Sequence, residues 1–127
     1  MDIRELRIGD KVTYLGKVVT IRAIYNSGNV EFKSNDNDGR IVYISVPVEN
    51  VQPIVLTDEI IKKIGFLNIS NMWYHLDELV LLRRLKHNYQ IYITDCGSHY
   101  EINKIIKYLH QLQHEIWEAG IELKIEL

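Results

Sequence analysis

His110 and His114 are the first pair in this sequence whose type and spacing could do chemistry. On a helix, a spacing of four puts both imidazoles on one face, close enough to share a metal ion. A metal-dependent enzyme there would need a further ligand, and the next acid along that face is Glu118. Gln111 stands where a His-Glu-x-x-His protease carries its catalytic acid, so the pair does not match that motif. The loop Asp95-Cys96-Gly97-Ser98-His99 gathers nucleophile and base types. A triad, however, is assembled from distant segments rather than from neighbours. Gly97 and Ser98 have turn and cap duties, and Cys96 reads as a small buried or half-buried residue. The sequence therefore assigns no catalytic residue, no metal site and no cofactor. An enzyme at the His110 and His114 face stays as the third reading.

Binding is the stronger expectation. Arg83, Arg84, Lys86 and His87 form the only local cluster of positive charge, flanked by Trp73, Tyr74, Tyr89 and Tyr92. Single-stranded nucleic acid or a nucleotide would use basic groups for phosphates and rings for stacking, here Arg83, Arg84, Lys86 and Tyr89. The plain alternative is a solvated hairpin tip beside the aromatics that sheets favour anyway. Eight Tyr and two Trp also suit a protein interface, because both side chains are rigid and amphipathic. The helix flank carrying His110, Gln111, His114 and Trp117 is the expected surface for a protein partner. The apolar stripe of that helix places His110 and His114 on its solvated side.

Bulk properties narrow the class. The chain has 127 residues, 46% hydrophobic and 25% charged, with a formal net charge of −2. That composition is globular, and the charge is too balanced for a DNA-coating protein. Charge from the first residues argues against a secretory signal. The longest aliphatic run, Leu79-Val80-Leu81-Leu82, falls far short of a membrane span. One cysteine, Cys96, fits a reducing compartment. The expectation is a soluble cytoplasmic protein with no membrane role, able to self-associate through open strand edges.

These side chains must be positioned by α+β elements in two parts. Over residues 1–55, alternation and turn residues predict a small β-barrel. Gly16, Asn26-Ser27-Gly28 and Asn35-Asp36-Asn37-Asp38-Gly39 mark its turns, and Val19, Ile21, Ala23 and Tyr25 share one face of a strand. A single helical turn around Val48 to Pro53 leads into its closing strand. Over 56–127 the order is α-β-β-β-α-β. A short helix opens on Thr57 as N-cap and stops at Gly65. Strands at Met72 to Leu76, Leu79 to Leu85 and Tyr89 to Thr94 form a meander with turns at Asp77-Glu78 and Lys86-His87-Asn88. Ser98 and Glu101 have capping-box spacing, and Ile102, Ile105, Ile106, Leu109, Leu112 and Ile116 recur at threes and fours. They predict a long amphipathic helix from Ser98 to Gly120, lying over the sheet. Ile121, Leu123, Ile125 and Leu127 then alternate as a last strand.

Two resemblances follow from quoted stretches. The opening Gly9-Asp10-Lys11-Val12 with its short strands resembles the SH3-like small barrels, which implies a fold and no function. The stretches Ile3 to Asp10, Gln52 to Glu59 with Gly65-Phe66, and Lys107 to Gln113 resemble a group of uncharacterised proteins of bacterial prophages and mobile elements. That resemblance brings no catalytic residue. It implies an accessory protein that binds host or phage components, a host-defence factor among them. His114-Glu115-Ile116-Trp117 stands where the group has a more aromatic tail.

Overall fold

The computed structural model describes residues 2–76, 80–94, 100–121, 125 and 127. It is of the α+β class, two antiparallel sheets with two α-helices among the described residues. Two compact units divide the chain, Met1–Ile54 and Val55–Leu127.

Unit 1 holds β1 (Lys11–Tyr14), β2 (Lys17–Ile24), β3 (Asn29–Asn35), β4 (Ile41–Pro47) and β5 (Val51–Pro53). A 3-10 turn at Val48–Asn50 precedes β5, where the sequence predicts a helical turn. The strand order is β4-β3-β2-β1-β5. The ladder is not closed: β4 pairs with β3 and β5 with β1, so the expected barrel is an open sheet in its pairing. One apolar cluster fills it, with Val12, Ile21, Val30, Phe32 and Val51 almost fully buried. The opening Gly-Asp pair is stitched to β2. Gly9 N–H donates to the Ile21 carbonyl and Ile21 N–H to the Asp10 carbonyl. The buried Asp10 carboxylate accepts from Arg7 N–H at 2.7 Å.

A register shift between Ile21 and Ala23 interrupts the β2–β3 ladder. An extra residue in a strand swaps the faces beyond it. Ile24 consequently packs on the core and Tyr25 is exposed, which corrects the expectation that Tyr25 shares the Ile21 face. The β1–β2 turn is a two-residue loop with positive φ at both Leu15 (49°) and Gly16 (78°). Glycine adopts that conformation freely, whereas a leucine there is strained and, at 83% exposure, packs on little. Leu15→Asn is therefore expected to stabilise the fold by about 1 kcal/mol. Urea denaturation checks this, and an unchanged or lower midpoint would contradict it.

Unit 2 opens with α1 (Asp58–Lys63). Thr57 Oγ1 accepts from Ile60 N–H, as an N-cap does. At the other end Gly65 has φ 111°, its N–H donating to the Lys62 carbonyl and that of Phe66 to the Ile61 carbonyl. Those two bonds make a Schellman stop, with Phe66 buried behind it. The sheet comprises β6 (Leu67–Ser70), β7 (Trp73–Leu76), β8 (Val80–Arg84), β9 (Tyr89–Thr94) and β10 (Tyr100–Ile106), in the order β10-β9-β8-β7-β6. The meander β7-β8-β9 matches its prediction, while β6 and β10 add an unexpected strand on each side.

Strand β10 replaces the first half of the predicted long helix. Among the described residues of that span only Leu109–Glu118 is helical (α2), ending in a second Schellman stop at Gly120. The isoleucines at 102, 105 and 106 satisfy a helical stripe and a strand equally well. Pairing decides: Ile102 stands opposite Ile93, Lys104 opposite Ile91 and Ile106 opposite Tyr89. Ladder bonds along β9 and the β-preference of isoleucine outweigh continuing the helix. Ser98 as cap, Cys96, the Asp77-Glu78 turn and most of the final strand lie outside the described residues.

Candidate functional site

Both helices lie on one face of the second sheet. Lys104 Nζ meets Glu115 Oε1 of α2 at 2.9 Å, and Asp58 of α1 reaches Tyr89 of β9. That face buries Tyr74, Val80, Leu82, Tyr89, Ile91 and Ile106 against Ile61, Ile64, Leu109, Leu112 and Ile116.

The predicted protein-binding flank of α2 changes character. His110 is 1% exposed, so it belongs to the packed side rather than the solvated one. The isoleucines of the predicted stripe at 102, 105 and 106 are not on this helix, but its other members, Leu109, Leu112 and Ile116, are buried as expected. Burial extends beyond them to Gln113 and His110, wider than the apolar stripe alone marks. Gln111 Oε1 accepts from the N–H groups of Lys107 and Tyr108 at 2.8 and 3.0 Å, closing the helix start. His114 and Trp117 are half-buried, with ring centroids 6.2 Å apart, and His110 lies 5.7 Å from His114. Among the described residues no group of three or more His, Cys, Asp or Glu side chains is placed to hold a metal ion.

The predicted basic cluster is divided by strand alternation. Arg84 points to the helix side, where its Nη1 meets Asp58 Oδ2 at 2.6 Å. Tyr89 is buried there too, its hydroxyl donating to Asp58 Oδ1 at 2.5 Å. Lys86 is exposed on the β8–β9 turn. Thr57, Asp58, Arg84, Lys86, His87 and Tyr89 line a cleft of about 500 Å³ between that turn and the start of α1. Burial alone would raise the Asp58 carboxyl, but the Tyr89 hydroxyl and the Arg84 guanidinium more than reverse this and hold it below the usual range. Burial and the same carboxylate push the Tyr89 phenol well above its ordinary range. The cleft's best donors thus already serve Asp58.

Arg83 emerges on the opposite, helix-free face of the sheet. Cross-strand pairing aligns Leu67, His75, Leu81 and Tyr92 in one row of that face. Trp73, Arg83, Gln90 and Ile105 form the next. The Trp73 and Tyr92 rings are 5.7 Å apart at 37°. The Arg83 guanidinium sits 5.7 Å from the Trp73 ring centre. Leu67 and Ile105, on the outer strands, are 63% and 61% exposed. An assembly of Trp, Tyr and Arg with apolar flanks is suited to docking rather than bond-making. Sequence reasoning named Trp73, Arg83 and Tyr92 but did not unite them, because uniting them requires the register of two ladders.

The chain matches no family model, no curated protein and no solved structure. No described helix is long and apolar enough to cross a membrane.

Proposed function

We propose that this chain is a non-enzymatic binding protein, an accessory protein of a phage or mobile element. In this reading its partner is a protein, a host-defence factor among the candidates, held on the helix-free face of the second sheet. The observation that carries the reading is the Trp73–Arg83–Tyr92 cluster between the exposed Leu67 and Ile105. Aromatic and Arg anchors among apolar neighbours are the residues that dominate protein–protein binding energies. Nucleic acid is the weaker alternative, since Arg84 and Tyr89 face the helix side and leave Arg83 as the one described Lys or Arg in the two rows. Unit 1 is read as an SH3-like module, supported by its strand order and the 3-10 turn before β5.

Affinity capture from host and phage extracts, with the wild-type chain and Trp73→Ala side by side, tests the reading. The expected result is a stoichiometric protein held by the wild type and lost with Trp73→Ala, whose circular dichroism is unchanged. Loss of a central Trp anchor is expected to cost about 2 kcal/mol or more of binding. Capture of nothing in either extract, or equal capture by both chains, would overturn it. So would retention of nucleic acid that washes off steeply with salt.

A further inference from the structure

We propose that the partner segment seated on this face presents a carboxylate, from Asp, Glu or a chain terminus, to Arg83 between apolar residues that pack on Trp73 and Tyr92. The inference rests on the protein-binding reading above and adds the chemistry of the occupant. Arg83 is half-buried, and its Nε is shut off from water with no hydrogen-bond acceptor among the described residues. It has no ion pair there either. By contrast Arg22, Arg84 and Lys104 each hold a carboxylate within 3.1 Å.

A desolvated guanidinium N–H without an acceptor is costly, and the Trp73 ring offsets only part of that cost. His75 and the Tyr92 phenol are the other titratable groups among the described members of the two rows, and no Asp or Glu is among those members. The face is therefore apolar with a cationic centre. Its electrostatic complement is an apolar segment with an anionic centre, and the planar guanidinium edge fits a carboxylate through two parallel bonds. A phosphate-rich strand is a poorer complement, because it needs several cations and this face has Arg83 alone in its described rows with Leu67 and Ile105 beside it.

Selection of a random short-peptide display library on the immobilised full chain, followed by titration of the winning peptides, provides the test. Winners are expected to carry Asp or Glu beside aliphatic or aromatic residues. Trp73→Ala is expected to abolish their binding. Arg83→Gln is expected to weaken it at least about tenfold, and Arg83→Lys to restore only part. Winners without an acid, or winners indifferent to Arg83→Gln yet lost with Trp73→Ala, would overturn the carboxylate assignment and leave the face as a docking site. No winners, or winners indifferent to Trp73→Ala, would overturn both. Tighter binding of oligodeoxythymidine than of any peptide would also overturn both.

Discussion

Ile106→Ala is expected to cost about 2–5 kcal/mol of stability, while its neighbour Ile105→Ala stays within about 0.5 kcal/mol. Ile106 is 3% exposed on the helix-covered face, opposite the buried Tyr89. Truncating it loses the transfer free energy of the removed carbons and leaves a cavity that the sheet and α2 can only partly close. Ile105 is 61% exposed on the other face and leaves no cavity when shortened. Urea unfolding of the two single variants measures the contrast. A helix running through 102–106 would carry both isoleucines on one buried stripe, and both truncations would then be severe. Equal losses at the two sites would therefore contradict β10.

That contrast also marks how far the sequence could be read. Elements closed by local chemistry were legible. Thr57 and Gly65 bound α1, Gly16 and Gly28 turn their hairpins, and Gly120 stops α2. Each such signal is completed within a few residues, so no distant partner is needed to interpret it. Strand β10 was not legible, because Ile102, Ile105 and Ile106 fit two periods and only β9 chooses between them. The site was legible only in part. The apolar stripe marks Leu109, Leu112 and Ile116 correctly, but burial of α2 extends past it to Gln113 and His110, whose polar types give no sign of it. The arginine pair was found as a cluster, yet alternation sends Arg83 and Arg84 to opposite faces, and one joins an aromatic group while the other joins Asp58. Candidate chemistry was legible as residue type; which residues act together was a matter of register.

Asp58→Ala is expected to remove about 2 kcal/mol of stability at neutral pH, through Tyr89 more than through Arg84. Tyr89 is buried, and without the carboxylate its hydroxyl keeps a desolvated donor with no acceptor at Asp58. The Arg84 arm adds little because both of its members are partly solvated and screened. The pH dependence separates this from simple loss of packing. The folded-state pKa of Asp58 is lowered, so its contribution is complete above the unfolded value of about 4 and is lost as pH falls through the folded value. The folded-state pKa of Tyr89 is raised, so its contribution is complete below the unfolded value of about 10 and is lost as pH rises toward the folded value. Wild type minus variant should form a plateau between about pH 4 and pH 10, shrinking on the acid side and again in strong alkali. Unfolding free energies of both chains across that range measure the plateau. A difference that stays constant into acid would place the cost in packing and remove Asp58 as the group that ties the β8–β9 turn to α1.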